Sequence, residues 1–356
     1  MINQIEPVIT KEDIESVNSY LESGGWLTEH SITKKLEENI ASYIDRRYAV
    51  AVPNGTIAIY LALKANGIGQ GNRVAVPNIT MVATINAVVW AGATPVLVDV
   101  DHSLCMSYKH LLELRNIDAV IFVPLNGRSG DGEKIENWCN ENKKILIEDS
   151  AHALGSSYNN KKTGSLGSTS ILSFTPHKII TSGQGGLVLT DDENLFDFMY
   201  DYKSFNRERD MSDWHKGFGL NFKFTDLQSS LLLSQFGRID TLIQSKRDLF
   251  TYYKKSIDEY ESRLIEFQEY ETPWFIDFIL TKNENQDTYQ TLLSQKGIQT
   301  RKGYPPLSKQ KIFENVERTN LSYSEEISER IIWLPSSLNL SQQDVEFIAN
   351  SLSSIR

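Results

Sequence analysis

The sequence predicts an α/β protein in which a mostly parallel central sheet is followed by a smaller C-terminal α/β domain. Short apolar strand signals alternate with helical signals along the N-terminal half. This pattern is typical of a parallel sheet covered by helices on both faces. The chain has 356 residues, too many for one simple core, which indicates two domains, assigned to residues 1–245 and 246–356.

The individual elements follow from apolar periodicity and turn signals. Residues 11–22 and 33–43 have the spacing of amphipathic helices, and Thr33 could cap the second. A helical region at 222–250 is predicted in two parts, 226–236 and from 241 onward, and residues 252–271 lead into the smaller domain. The remaining predictions are strands at 48–52, 74–76, 96–98, 119–123 and 145–147, and helices at 57–63, 83–90 and ending at Trp138.

Composition excludes several classes of function. The net charge is −10 and no Lys/Arg-rich run occurs, which argues against a nucleic-acid surface. No apolar run approaches ~18 residues and the N-terminal residues lack a signal-peptide pattern, so we expect no membrane span and a cytoplasmic location. Cys105 and Cys139 are the two cysteines of the sequence; they lack metal-ligand spacing, and we expect no metal.

Lys178 is the most informative residue, because apolar residues and a glycine turn flank it in SFTPHKIITSGQGG (173–186). A buried lysine has a lowered pKa, and its neutral amine can condense with an aldehyde. Asp149 ends an earlier apolar strand, and Ser173 supplies a hydroxyl. Pyridoxal 5′-phosphate requires such a lysine, a carboxylate for its ring nitrogen and small donors for its phosphate. A structural Asp149–Lys178 ion pair is the alternative, but it explains neither the glycines nor the serine.

Two glycine-containing turns have different interpretations. Gly55 and Thr56 lead from a strand into a helix, so their amides could bind an anion; a simple cap by Thr56 is the alternative. The segment GIGQG at 67–71 resembles half of a dinucleotide fingerprint. It follows a helix and precedes a strand, the reverse of the required order, and is predicted to be a turn.

These motifs resemble the DegT/DnrJ/EryC1/StrS aminotransferases, which are pyridoxal-phosphate sugar aminotransferases. EDSAHALG and SFTPHKIITSGQGG lie within residues 148–192, which resemble the family's core signature, and NFKFTDLQ and GIQTRKGYPPL follow in the family's order. Further segments that resemble this family occur along nearly the whole chain. The resemblance implies the fold of aspartate aminotransferase, called fold type I, and pyridoxal 5′-phosphate as cofactor.

The resemblance also implies roles for individual residues. It makes Gly55, Thr56 and Ser173 phosphate ligands, and it places His152 near the cofactor ring, although a packed histidine is an open alternative. It also implies that Asn221 and Lys223 reach a partner subunit's cofactor and that Arg301 and Tyr304 lie near the substrate, with exposed loop positions as the alternative. The sequence itself places His177 beside Lys178 and Gly185 in the following glycine turn, so we expect both near the substrate; a purely structural role for His177 is an open alternative.

Three positions depart from the family pattern. Met81 replaces an aromatic residue that stacks on the cofactor ring, and a thioether stacks more weakly. Asn126 stands where the family has tyrosine, and Gly303 where it often has histidine. Relatives that dehydrate sugars have histidine in place of Lys178, so the lysine favours transamination.

The sequence therefore predicts an aminotransferase, at least a homodimer and possible as a larger homo-oligomer, that uses L-glutamate and releases 2-oxoglutarate. It would convert a nucleotide-linked 4-keto-6-deoxysugar to a 4-amino-4,6-dideoxysugar, with enzymes making perosamine or viosamine as the nearest analogy. Three alternatives stay open: amination at C3, a pyridoxal-phosphate dehydratase or lyase, and a non-catalytic binding protein with the cofactor fold. The sequence specifies neither the nucleotide nor the sugar.

Overall fold

The computed structural model describes residues 1–208, 213–257 and 263–355. The strands in these ranges, in chain order, are β1 Tyr48–Val52, β2 Arg73–Pro77, β3 Thr94–Val98, β4 Ala119–Phe122, β5 Ile145–Asp149, β6 Ser157–Tyr158, β7 Lys161–Lys162, β8 Thr169–Ser173, β9 Gly186–Thr190, β10 Ile276–Ile279, β11 Arg301–Lys302, β12 Glu317–Arg318 and β13 Ile331–Leu334. All the predicted strands are confirmed, with shifts of no more than a few residues at their ends.

The helices in the same ranges are α1 Lys11–Glu22, α2 Ser31–Ile44, α3 Gly55–Ala65, α4 Ala83–Trp90, α5 Tyr108–Leu111, α6 Gly132–Glu141, α7 Glu193–Tyr202, α8 Asp226–Phe236, α9 Ile239–Ser256, α10 Gln286–Gln295, α11 Ser322–Ser328 and α12 Gln342–Ser353. None of these helices is long and apolar enough to cross a membrane. Between α3 and β2 the GIGQG segment forms a turn, as predicted, with Gly67 and Gly71 at positive φ.

Among the described strands, eight form the central sheet in the order β1-β9-β8-β5-β4-β2-β3-β12. Strands β8, β5, β4, β2, β3 and β12 run parallel to their neighbours in that series, whereas β9 is antiparallel to both β1 and β8. The predicted mostly parallel sheet is therefore confirmed.

Apolar residues cover both faces of this sheet. On β1, Val50 and Val52 belong to the apolar cluster that includes α3 and α4, whereas Ala49 and Ala51 belong to the cluster that includes α2 and α8. Successive strand residues point to opposite faces, so the two clusters lie on opposite sides. The same alternation separates Ile171 from Leu172 on β8. Burial on both faces explains why these strands are continuously apolar.

A third apolar cluster forms the core of the C-terminal part. It joins β10 and β13 to helices α9, α10 and α12, and β10, β13 and β11 form a separate three-stranded sheet within the described ranges. The predicted domain boundary at 245/246 falls inside α9, and β12 pairs with β3 of the central sheet. The division into residues 1–245 and 246–356 stays a prediction.

The helix predicted to end at Trp138 is α6, which continues to Glu141. Three further sequence predictions about helix ends are also wrong. Helix α2 begins at Ser31, so Thr33 lies within it; the Asp226 carboxylate binds its first turn by accepting hydrogen bonds from the amides of His30, Ile32 and Thr33 at 2.8–3.0 Å. This long-range cap joins α8 to α2 and leaves no local sequence signal. The predicted helix at 226–236 is confirmed as α8, but the wider helical region predicted from residue 222 is wrong at its start, because Thr225 caps α8.

The third correction concerns α3, which begins at Gly55 rather than at residue 57. The side chain of Asn54, not that of Thr56, caps this helix by accepting a hydrogen bond from the Ile57 amide at 3.0 Å. Residues 252–256 continue α9, and residues 258–262 of the predicted passage into the smaller domain lie outside the described residues.

Candidate active site

A cavity of about 700 Å³ lies where the β1–α3 turn, the end of β5 and the β8–β9 loop meet. The carboxyl ends of parallel strands share one edge of a sheet, which is where ligands bind in open α/β folds. The cavity brings together most of the residues that the sequence singled out: Gly55, Thr56, Met81, Asp149, His152, Ser173, His177, Lys178, Arg301 and Tyr304.

Strand β9 brings the β1–α3 turn against the end of β8. Gly186 pairs with Val52 on one side and with Ser173 on the other. A Cβ atom on Gly186 would lie 2.6 Å from the Asn54 carbonyl oxygen, so this position requires glycine, and one on Gly55 would lie 3.0 Å from Ser173 Cβ, a tight contact that Ser173 would have to relieve. The α3 amino terminus and the Ser173 hydroxyl thus form one cradle with the donors and dipole that bind an anion.

Lys178 lies on the β8–β9 loop, and its Nζ is 3.8 Å from the centroid of the Trp274 ring. Burial of this amine lowers the pKa of Lys178 to about 7, although the negative charge of Asp149 acts in the opposite direction. Near pH 7 a substantial share of the molecules therefore has Lys178 as a neutral amine, and this is the form that reacts with carbonyl compounds.

Asp149 is the last residue of β5, and two hydrogen bonds fix its carboxyl group. Its Oδ2 accepts from Thr84 Oγ1 at 2.9 Å and its Oδ1 accepts from the Ala151 amide at 3.3 Å. Burial raises the pKa of Asp149, while these bonds and the charge of Lys178 counteract the rise. A cationic group bound in the cavity would stabilise the carboxylate form in the same way.

His152 lies next to two aromatic rings. Its ring centroid is 4.0 Å from that of Trp274 and 5.9 Å from that of Tyr304. Burial holds the pKa of His152 well below its usual value, so the imidazole is neutral. Its Nδ1 atom has no hydrogen-bond partner among the residues that the structure describes. A buried polar atom without a partner on the wall of a cavity is suited to a polar ligand.

Trp274 is a site residue that sequence reasoning missed. Its Nε1 donates to the His177 carbonyl at 2.6 Å, its main-chain amide donates to the Asn126 carbonyl at 2.9 Å, and its carbonyl accepts from Lys246 Nζ at 3.1 Å. The sequence feature that could have indicated it is the aromatic pair Trp274-Phe275, directly before strand β10. That signal is weak, because buried aromatic residues next to strands are also typical of an ordinary core.

One side of the cavity is open and apolar. Met81 and Trp90 line it, with exposed fractions of 43% and 50%. The Met81 sulfur accepts a hydrogen bond from the Ala83 amide at 3.0 Å. The thioether is thus held at the cavity wall, and its stacking on the cofactor ring stays a prediction.

Three predicted residues do not line this cavity. Asn221 is exposed and forms a bridge with Ser204, and Lys223 Nζ lies 5.9 Å from the centroid of the Phe205 ring. Gly185 lies behind the wall, where a Cβ atom would be 3.2 Å from the Phe224 ring. The side chain on the wall at this turn belongs to the neighbouring residue, Gln184.

The two other departures from the family pattern have packing partners. The Asn126 amide donates to both carboxylate oxygens of Asp277 at 2.9 and 3.0 Å, in a buried pair completed by Arg128 at 2.6 Å. A Cβ atom on Gly303 would lie 3.0 Å from Ile331 Cγ2. Neither residue lines the cavity, and both contribute to the packing behind it.

The fold and this cavity define an α/β enzyme with a reactive lysine at the edge of its sheet. Residues 7–353 match the model of the DegT/DnrJ/EryC1/StrS aminotransferase family, and the chain belongs to that family. It is 31% identical over 351 residues to the GDP-perosamine synthase of Escherichia coli O157:H7, covering 98% of this chain and 96% of that protein. It is 29% identical over 360 residues to the GDP-perosamine synthase of Vibrio cholerae, covering 99% and 98%.

Solved structures agree with this assignment. The pyridoxal-phosphate form of Spr1654 from Streptococcus pneumoniae has a TM-score of 0.90 and 25% identity, covering 98% of this chain and 97% of that one. The protein is therefore an aminotransferase with the fold of this family, and its cofactor is pyridoxal 5′-phosphate. The residues present fit that group, since the cavity combines an anion cradle, a fixed carboxyl group, an unpartnered imidazole nitrogen and an amine.

Proposed function

We propose that the protein transfers the amino group of L-glutamate to the keto carbon of a nucleotide-linked 4-keto-6-deoxysugar. One observation carries this proposal: the cavity containing Lys178, Asp149 and Arg301 occurs in a chain similar over 98–99% of its length to GDP-perosamine synthases. The products would be 2-oxoglutarate and a 4-amino-4,6-dideoxysugar. A cytoplasmic location is part of the proposal.

Within the cavity, we assign cofactor contacts to the residues that the geometry brings together. When bound, pyridoxal phosphate supplies an aldehyde that exchanges amines and a ring that accepts electrons. Gly55, Thr56 and Ser173 would hold its phosphate in the anion cradle. Asp149 would pair with its ring nitrogen, and the partly neutral Lys178 would bind the aldehyde carbon and move a proton at Nζ.

The side of the cavity facing the C-terminal part would receive the amino donor and the sugar. The guanidinium of Arg301 lies 5.5 Å from the centroid of the Trp333 ring, and its charge suits either the glutamate carboxylate or a phosphate. His177 and Tyr304 offer hydrogen-bonding groups beside it. Burial lowers the pKa of His177, and the charges of Arg301 and Lys178 lower it further, so the imidazole favours its neutral form.

A second copy of the chain would complete the site. Asn221 and Lys223 do not line the cavity of their own subunit, and the open side next to Met81 and Trp90 is apolar. Exposed aromatic side chains extend this surface, including Phe218, whose exposed fraction is 72%. Such patches mark interaction surfaces. In a two-fold dimer each subunit could lend its Asn221 and Lys223 to the partner's phosphate cradle.

The test offers GDP-, dTDP- and UDP-linked 4-keto-6-deoxyhexoses with glutamate, alongside simple 2-keto acids. The expected result is 2-oxoglutarate together with an aminated sugar nucleotide, identified by mass, with NMR locating the amine at C4. An amine at C3 would favour the alternative position. Loss of water without glutamate consumption would favour a dehydratase. Activity only on 2-keto acids would overturn the sugar assignment.

A further inference from the structure

Three residues lie in one row across the three-stranded sheet of the C-terminal part. Trp333 of β13 pairs with Asp277 of β10 on one side and with Arg301 of β11 on the other. Residues that pair directly on adjacent strands project to the same face of a sheet. The row therefore runs from a buried carboxylate, across a buried indole, to a guanidinium that lines the cavity containing Lys178.

The carboxylate of Asp277 anchors this row. Its two oxygens accept hydrogen bonds from Asn126 Nδ2 at 2.9 and 3.0 Å, and Arg128 forms a salt bridge with it at 2.6 Å. Trp333 Nε1 donates a further hydrogen bond to it at 2.7 Å. A carboxylate has about four acceptor positions, so these donors fix its orientation. Because Asn126 and Arg128 belong to the connection between β4 and α6, Asp277 ties the indole to the part of the chain that contains the central sheet.

The indole of Trp333 contacts two side chains that line the cavity. The Arg301 guanidinium lies 5.5 Å from the centroid of the indole ring, and the Tyr304 ring meets the indole edge-on, with centroids 4.8 Å apart and planes at 88°. Arg301 is exposed and forms no salt bridge with a residue in the ranges that the structure describes. A long side chain without an ionic partner keeps its rotamer freedom unless packing restricts it. The buried indole supplies that packing surface.

Hydrogen bonds hold the backbone on both sides of Arg301. Before it, the Thr300 carbonyl accepts from Gln290 Nε2 of α10 at 2.9 Å. After it, the Gly303 amide donates to the Ile331 carbonyl of β13 at 2.9 Å. The main chain of this segment is therefore fixed, and the direction of the Arg301 side chain is what the indole beside it can control.

We propose that Asp277 and Trp333 are positioning residues that hold Arg301 and Tyr304 in the orientation in which they meet the substrate. The face of an indole attracts a guanidinium electrostatically. The hydrogen bond from Nε1 to a carboxylate polarises the indole and makes that attraction stronger. This inference rests on the proposed function, in which Arg301 binds an anionic group and Tyr304 offers a hydroxyl group. It assigns the buried residues that set the direction of both side chains.

The experiment is a double-mutant cycle on the holoenzyme with Trp333→Phe, Arg301→Ala and the combined variant. Trp333→Phe removes the hydrogen bond to Asp277 and keeps an aromatic ring. Asp277→Asn is less suitable, because it would leave the buried Arg128 without its counter-charge and the variant could fail to fold. Trp138→Phe, at a half-buried position on α6, is the matched control.

Two measurements are made on each variant. Steady-state kinetics gives kcat and KM for glutamate and for the accepted sugar nucleotide. Timed modification of the apoprotein with phenylglyoxal, followed by peptide mass spectrometry, gives the reactivity of the Arg301 guanidinium without cofactor or turnover. Arg115, which is exposed on the central-sheet part, is the internal reference for the reagent.

Arg301→Ala should raise the KM of the substrate whose anionic group it binds by about tenfold. Trp333→Phe should raise the same KM about threefold, with kcat within about twofold of wild type. The combined variant should match Arg301→Ala to within about twofold, because the indole acts through the guanidinium. Phenylglyoxal should modify Arg301 at least about twofold faster in Trp333→Phe, since the guanidinium leaves the ring face. The rate at Arg115, and every value for Trp138→Phe, should stay at the wild-type level.

A structural role alone for Trp333 would lower the melting temperature of Trp333→Phe and leave its KM values and the reactivity of Arg301 unchanged. That result, or additive effects in the cycle, would overturn the positioning role. A wild type that aminates no sugar nucleotide would overturn the proposed function. The reactivity of Arg301 and the KM for glutamate would still decide the positioning role in that case.

Discussion

The Nζ atom of Lys178 lies 3.8 Å from the centroid of the Trp274 ring, so the amine that the sequence singled out rests on an aromatic face. Trp274 is held by three hydrogen bonds: its indole Nε1 and its main-chain amide each donate one, and its main-chain carbonyl accepts one. Aromatic faces attract ammonium groups, most strongly where water is excluded. Trp274 therefore fixes the position of the amine and partly offsets the effect of burial.

Trp274→Leu should lower kcat by about tenfold, because the amine loses a contact worth about 1–2 kcal/mol when desolvated. Trp274→Phe keeps an aromatic face and should retain more of the activity. A general packing defect would instead lower the melting temperature of both variants and leave the circular dichroism of the bound cofactor unchanged. The prediction fails if Trp274→Leu has normal kcat and a normal cofactor spectrum.

Lys178 should be the residue that carries the cofactor covalently. Borohydride reduction of the holoenzyme should add the cofactor's mass to the peptide containing Lys178. Lys246 is the matched internal control: burial also lowers its pKa to about 7, but it does not line the cavity. Labelling of Lys246, or of any lysine other than Lys178, would contradict the assignment. Lys178→Ala should bind the cofactor without this linkage and lose turnover.

The amine of Lys178 should titrate near neutral pH in the apoprotein. Burial lowers its pKa to about 7, so its acylation rate should level off once the pH exceeds that value, whereas the acylation rates of exposed lysines should keep rising to higher pH. Asp149→Asn removes a negative charge that favours the ammonium form, so the midpoint should move to lower pH. Peptide mass spectrometry after timed acylation measures both. A midpoint near that of exposed lysines would contradict the environment described here.

Asp149→Ala should reduce the rate much more than cofactor binding. The carboxylate would act on charge that develops at the cofactor ring during the reaction, and losing one such group costs about 100- to 1,000-fold in rate. Cofactor occupancy is measured by absorption and turnover by 2-oxoglutarate release. Near-normal turnover at full occupancy would show that Asp149 is not the ring-nitrogen partner.

Much of the sheet and the core of the site could be predicted because their signals are local. The continuous apolar strands, the strand-end Asp149 and the glycine-flanked Lys178 are each readable within about ten residues. What could not be predicted depends on contacts between distant segments. The Asp226 cap of α2 spans 193–196 positions of sequence, and the place of Trp274 beneath Lys178 depends on how the C-terminal part packs against the sheet.

Gly55→Ala should weaken cofactor binding about tenfold. The new Cβ atom would lie 3.0 Å from Ser173 Cβ, so one side of the anion cradle would have to move, at a cost of about 1–3 kcal/mol. Gly69→Ala is a suitable control, since its Cβ atom would be 3.4 Å from the nearest atom and remote from the cavity. Equilibrium titration of both apoproteins with cofactor measures the difference. Equal affinity in Gly55→Ala and wild type would contradict the cradle.

Two inactive variants should restore activity to each other if the partner subunit completes the site. Lys178→Ala removes the amine from its own cavity, and an Asn221→Ala/Lys223→Ala variant removes the groups proposed to enter the partner's cavity. In a mixed dimer one of the two cavities would have both sets intact, so mixing should recover up to about one quarter of wild-type activity per total subunit at equal random exchange. Light scattering measures whether the protein is a dimer. Each variant taken alone through the same mixing procedure is the control. A fully active monomer, or no recovery despite demonstrated subunit exchange, would show that each chain builds its site alone.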